Sequence, residues 1–208
     1  MKKKIANQID DQTEAVTPRV KRADAQRKMA SLLESAAEIF SKSGVDAPVR
    51  EIAERAGVGL GTVYRHFPQR SDLIAAVFQT QVDACAKAAS TLAGEYDPAE
   101  ALARWLHRYA DFLSTKRGLA AALHSGDPAY SALPAYFDKH LRPALQGLLD
   151  SAVLARALRA DIEAEDLLHA VANLCRTKRD KEPAYARRMV DLLVDGLRYR
   201  GESAHRKV

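Results

Sequence analysis

The stretch AEIFSKSGVDAPVREIAERAGVGLGTVYRHFPQRSDLIAAV, from Ala37 to Val77, decides how this chain folds. Leading into it, Met29, Leu33, Ala36, Ala37 and Phe40 recur at helical spacing and form one apolar face of an amphipathic helix. Gly44 stands where that helix should stop. Asp46-Ala47-Pro48 then joins a capping side chain to a proline suited to a first helical turn. A second helix is expected to begin there and to turn Ile52, Ala53 and Ala56 inward. Gly57-Val58-Gly59 places permissive backbone on either side of an apolar plug, the chemistry of a short turn between crossed helices. A third helix resumes at Leu60, packs through Val63, Tyr64 and Phe67, and leaves Thr62 and Arg65 pointing elsewhere. Pro68 closes it, and Ser71-Asp72 caps a fourth.

Two short crossed helices with a glycine turn are how a helix-turn-helix carries its second helix into a DNA groove, although many such hairpins bind nothing. The charge favours DNA. From Arg19 to Arg70 there are ten basic residues against six acidic ones, and duplex DNA rewards a positive surface through counterion release, largely regardless of sequence.

Ala56, Gly57, Val58, Gly61, Thr62, Val63, Tyr64, His66, Phe67, Arg70 and Leu73 together resemble the signature of the TetR family of bacterial transcriptional repressors. The resemblance covers Arg27 to about Phe78. Beyond it the chain is only compatible with the family's helical ligand and dimer domain, with a faint likeness to one subgroup around Arg104-Trp105 and Thr115 to Leu119. The resemblance implies an all-α fold: a three-helix DNA-binding head followed by a helical regulatory and dimerisation domain. It implies a DNA interface of Arg50, Gly59, Leu60, Gly61, Thr62, Tyr64, Arg65, His66 and Arg70. Thr62 and Arg65 would approach base edges, arginine being suited to guanine O6 and N7. Tyr64, His66 and Arg70 match positions that clamp phosphates and so fix register. Competing readings make Tyr64 a core residue with a surface hydroxyl, His66 a helix cap, and Arg70 a solvated charge.

Three departures from the family pattern thin the phosphate grip. Gly59 stands where a serine commonly caps the recognition helix, leaving only a backbone amide. Arg70 replaces the usual lysine. Ala47-Pro48 occupies a place where a threonine often touches phosphate, which shifts the load to Arg50.

The composition suits this division. A chain of 208 residues, 47% hydrophobic, can bury one substantial core and a small head. We expect an aperiodic basic arm over 1–22, the DNA-binding domain over 23–75, the regulatory and dimerisation domain over 76–201, and a tail over 202–208. Arg19, Lys21 and Arg22 in the arm either reach a minor groove or belong to a solvated tail. The net charge of +5 fits a local basic patch rather than a polycation. The opening MKKKIANQIDD lacks the apolar segment of a secretory signal, and no run approaches membrane length, so the cytoplasm is the expected compartment. Cys85 and Cys175 support neither a disulfide framework nor a multi-cysteine metal site, and both read as small buried hydrophobes. No cofactor is expected.

Beyond the head the pattern is helical throughout. A helix from Ser71 to about Leu92 should end at Gly94, and Asp97-Pro98-Ala99-Glu100 signals the next start. A short segment is expected from Gly118 to Leu123, then a break, then a long helix kinked at Pro143. Two final helices, one marked by Leu167, Leu168, Val171, Leu174 and Cys175, the other by Met189, Val190, Leu193 and Leu197, are expected to form a homodimer. Leu192 and Val194 lie off the second stripe, and a helix apolar on more than one face needs more than one partner surface. Packing within one subunit is the competing reading. The charge run from Arg176 to Glu182 reads as a solvated loop. A twofold dimer calls for a palindromic operator.

Trp105, Tyr109, Phe112, His124, Tyr136, Phe137 and His140 supply aromatic walls and polar handles for a small-molecule effector of unidentified chemistry, and serve equally well as core. Two other classes remain: a helical ligand-binding or scaffold protein that has lost DNA affinity, and an all-helical enzyme. Against the second, His107, His124, His140 and His169 show no compact ligand spacing.

Overall fold

The computed structural model describes residues 18–123, 126–175 and 183–198. The described residues form helices and no strand: α1 Pro18–Ser43, α2 Val49–Ala56, α3 Leu60–His66, α4 Arg70–Glu95, α5 Pro98–Leu123, a 3-10 turn at Pro128–Tyr130, α6 Leu133–Leu154, α7 Ala164–Leu174 and α8 Pro183–Arg198. His124, residues 1–17 of the expected arm, the charge run 176–182 and the tail 202–208 lie outside the described residues.

Several boundaries differ from the sequence reading. Helix α1 begins at Pro18, so Arg19, Lys21 and Arg22 belong to a helix rather than to an arm; proline at the first position needs no amide partner there. Helix α2 starts at Val49, with Pro48 as its extended N-cap at φ −60° and ψ 128° and no side-chain cap from Asp46. Helix α4 runs through Gly94 to Glu95. It opens on Gln69, whose N–H donates to the Asp72 carboxylate at 2.9 Å. The segment expected to be separate near Gly118 is the end of an unbroken α5, and α6 continues through Pro143.

Burial follows the helical period. On α2 the inward residues are Val49, Ile52 and Ala53; on α4 they are Leu73, Ile74, Val77, Phe78, Val82, Cys85 and Ala89. Helix α4 packs against α1, α5 and α6, and α5 meets α1, α6, α7 and α8. One apolar cluster therefore runs from Leu32 and Phe40 in the head to Val190 and Leu197 in α8. Burying a side chain the size of Phe40 or Phe78 contributes about 2 kcal/mol each, which is why these long stripes decide the arrangement. On α8 the inward stripe is Ala186, Val190, Val194 and Leu197. Val194 thus takes the core place expected of Leu193, which is only half-buried. No helix among the described residues is long and apolar enough to cross a membrane.

Candidate nucleic-acid interface

The turn before α3 is built by Gly57, which sits in the left-handed region at φ 68° and ψ 31°. Its N–H donates to Glu54 O at 3.2 Å while Val58 N–H donates to Ala53 O at 3.0 Å. These two bonds satisfy carbonyls that the end of α2 would otherwise leave orphaned. Gly59 then caps α3 with its backbone alone: Thr62 N–H donates to Gly59 O at 2.9 Å, and no side chain completes the cap.

Helix α3 is anchored by Val63, which is buried, with Leu60 and Phe67 packed beside it. Its other sides face outward. Gly61, Arg65 and His66 are exposed, Thr62 is half-buried, and Tyr64 is 50% exposed. Tyr64 therefore does not pack the inner side of the helix as its spacing suggests; Val63 alone reaches the centre of the head. Arg50, in the first turn of α2, is exposed, and neither Arg50 nor Arg65 makes an ion pair with the described residues. By contrast Arg55 is paired with Glu38 of α1, a contact that ties α2 to α1 and that sequence spacing did not reveal.

Arg70 departs furthest from expectation. Its Nη1 donates to Val45 O and, at 2.8 Å, to Ala47 O, so the guanidinium lies partly buried over the turn between α1 and α2. The guanidinium is therefore not a plainly solvated charge: Nη1 is held by main-chain carbonyls. That turn opens on Gly44, at φ 79°, and holds Ala47 buried. Tyr130 of the 3-10 turn, also buried, lies in the same region against the start of α4. Burial above all, with the nearby Asp127 carboxylate, raises its phenol above the ordinary value, while Arg70 opposes the shift.

The aromatic residues assigned to an effector pocket are largely packed on one another. Trp105 stacks on Tyr109 with centroids 5.6 Å apart, and Phe112 and Phe137 lie 6.2 and 6.1 Å from Tyr109. Trp105 donates to Cys85 O at 2.9 Å and the Tyr109 hydroxyl to Leu168 O at 3.4 Å. Tyr136, Phe137 and His140 are half-buried at the edge of this stack. The Tyr136 hydroxyl donates to Asp83 at 2.6 Å, and its ring stacks on His140 at 4.0 Å. Cys85 and Cys175 are both buried, and burial pushes the Cys85 thiol up to about 12.

At the opposite side, Ile162, Leu174, Met189, Leu192, Leu193 and Gly196 line an apolar groove of about 390 Å³ along α7 and α8. Leu192 is 66% exposed there.

A small helix-turn-helix head, fused through α4 to a helical bundle with an open apolar face, defines the class: a helical regulator of the helix-turn-helix type. The comparisons with known proteins agree. Residues 32–77 match the bacterial regulatory proteins of the tetR family, and 97–199 match the C-terminal domain described as transcriptional regulator SbtR-like. A crystal structure of a TetR transcriptional regulator from Streptomyces coelicolor is 36% identical, with a TM-score of 0.69, and the match covers 81% of this chain and 97% of that one. A TetR regulatory protein from Mycobacterium vanbaalenii is 33% identical at a TM-score of 0.68, covering 86% and 99% respectively. An HTH-type transcriptional regulator of Staphylococcus aureus is 38% identical over 63 residues, 30% of this chain and 34% of that protein. The chain thus spans about a third of the length of the curated relatives it matches. It belongs to the TetR family.

Proposed function

We propose that this chain is a ligand-responsive repressor that binds a palindromic operator as a homodimer in the cytoplasm, acting by binding rather than by catalysis. The observation that carries the reading is the outer surface of α3. Gly61, Thr62 and Arg65 share one side of a helix whose opposite side is fixed by Val63, and Arg50 of α2 is exposed and without an ion pair among the described residues. Such a surface fits a major groove: Arg65 reads a base, Tyr64 and His66 flank it against phosphates, and Arg50 adds a cation. The backbone amides at Gly59 and Leu60 complete the contact. The apolar groove on α7 and α8, with Leu192 exposed, supports dimer formation, and two copies related by a twofold axis require a twofold operator.

Effector response is proposed at the edge of the aromatic stack, where Tyr136, Phe137 and His140 remain half-buried. A ligand inserted beside Phe137 would favour a dimer whose α3 helices no longer fit successive grooves, provided it binds that state more tightly.

Selection of bound duplexes from a random pool tests the reading. A twofold-symmetric consensus is expected, bound with an affinity that falls steeply with salt. Arg65→Ala should relax preference at one base position per half-site, whereas Tyr64→Phe should weaken all sites nearly equally. Absence of any enriched sequence and of low-salt binding would favour a scaffold or ligand-binding role instead.

A further inference from the structure

Arg70 holds two carbonyls that belong to the segment leading into α2, those of Val45 and Ala47. Neither carbonyl can be served by helix geometry: Val45 lies beyond the end of α1, and Ala47 precedes the Pro48 cap of α2. A main-chain carbonyl turned into a partly buried corner without a donor costs on the order of 1–3 kcal/mol. Arg70 therefore decides whether this turn keeps its shape. The turn in turn decides where α2 starts, because Glu51 N–H and Ile52 N–H both close onto Pro48 O, at 3.0 and 3.5 Å. Arg50 lies in that same first turn, exposed and free of ion pairs with the described residues.

We infer that Arg70 is a positioning residue for DNA binding, fixing through Nη1 the turn between α1 and α2 so that Arg50 meets a phosphate. This rests on the operator-binding reading above. It also joins two departures of the sequence. Ala47-Pro48 offers no side-chain donor to DNA, and the residue at position 70 bonds through Nη1 to the main chain of that same turn, beside which Arg50 stands exposed. Because α4 carries Arg70 and packs against the turn holding Tyr130, the regulatory part of the chain abuts the same brace.

The test compares Arg70→Gln, Arg70→Ala, Arg50→Ala and the pairwise combinations on the full chain with a selected operator duplex, each variant first shown to be folded by circular dichroism. A direct phosphate contact lowers the slope of log K against log salt by about 0.9. Arg50→Ala is expected to show that loss. Arg70→Gln is expected to weaken binding about tenfold and to lower the slope by up to about 0.9, the loss of the Arg50 contact, with no further fall when Arg50→Ala is added. Adding Arg50→Ala to Arg70→Gln should cost much less than the product of the single effects, whereas Arg65→Ala should multiply fully. A structural defect spread over the whole head would lower both combinations alike.

Amide exchange in the free protein gives an independent arm: the amides of Ala47, Glu51 and Ile52, which close the turn and the start of α2, should exchange faster in Arg70→Gln while the core of α4 stays protected. Full multiplicativity of Arg70→Gln with Arg50→Ala, the slope of the double variant falling by about 1.8, overturns the inference in favour of direct contact. Unchanged exchange at Ala47, Glu51 and Ile52 overturns the brace. Parent protein that binds no duplex at low salt overturns the operator-binding reading itself, and with it the role assigned to Arg50.

Discussion

Trp105 of α5 reaches α4 and donates its indole N–H to the carbonyl oxygen of Cys85 at 2.9 Å, with none of its surface left to solvent. The bond fixes the register of two long antiparallel helices at the level where the aromatic stack begins. Trp105→Phe keeps most of the ring volume and loses the donor, so it should cost about 1–3 kcal/mol; Trp105→Ala should cost about 3–5. Urea unfolding followed by circular dichroism measures both, since the chain has one tryptophan and its fluorescence goes with it. Equal stability of Trp105→Phe and the parent would mean the hydrogen bond contributes nothing.

Gly59 can be tested as a place for a side chain. Its φ of −67° suits any residue, and a Cβ there would meet only Thr62 Oγ1, at 3.9 Å. Gly59→Ser should therefore supply the missing cap of α3 and stabilise the head by a few tenths of a kcal/mol, roughly the difference between glycine and serine at an N-cap. Thermal unfolding reads the gain, and operator affinity should rise with it. A fall in stability would show that the turn tolerates no side chain.

The Tyr136 hydroxyl is pushed up to about 12, first by its hydrogen bond to Asp83 and then by burial and the charge of that carboxylate. A phenol whose folded value is raised stabilises the fold fully below its ordinary value near 10 and loses that contribution as pH rises through about 12. Denaturation midpoints should consequently fall between pH 10 and 12, and Tyr136→Phe should make the fall shallower. The buried Tyr109 shifts upward as well, so a residual slope will remain in the variant. Parallel curves for the two proteins would remove Tyr136 from the account.

Leu192 projects from α8 beside the groove formed with Leu174, Met189 and Leu193. Leu192→Asp places a charge on that surface without disturbing Val190, Val194 or Leu197 beneath it. Sedimentation equilibrium should show a monomer with an unchanged helical spectrum and greatly weakened binding to a full palindrome. A variant that still sediments as a dimer would move the interface elsewhere.

The helical class and the head were readable because they rest on local signals: the period of Ile52 and Ala53, the glycine at the left-handed turn, the apolar Val63 among polar neighbours. Helix ends were harder. Pro18 and Pro48 each mark a start, yet one is the first residue of α1 and the other the cap before α2, a distinction that depends on the turns around them. The partners of Arg70 lie 25 and 23 residues away, and they are main-chain atoms whose identity no side-chain pattern records. The link from Tyr136 to Asp83 joins two side chains across 53 residues, a separation that no local pattern encodes. Trp105, Tyr109, Phe112 and Phe137 pack on one another, and composition cannot tell a wall around a ligand from rings that fill the space themselves.

Helix α4 begins at Arg70 inside the head and ends at the exposed Glu95 at the far end of the bundle, 26 residues without a break. At 1.5 Å per residue that is a rod roughly 39 Å long. A domain border drawn near Ala75 therefore cuts through rigid material rather than through a tether. Chopping the chain there would strip α1 of its contacts with α5 and expose the side of α4 that carries Phe78. The head is thus a poor candidate for life as a separate fragment, and heating should melt head and bundle together, in one transition rather than two.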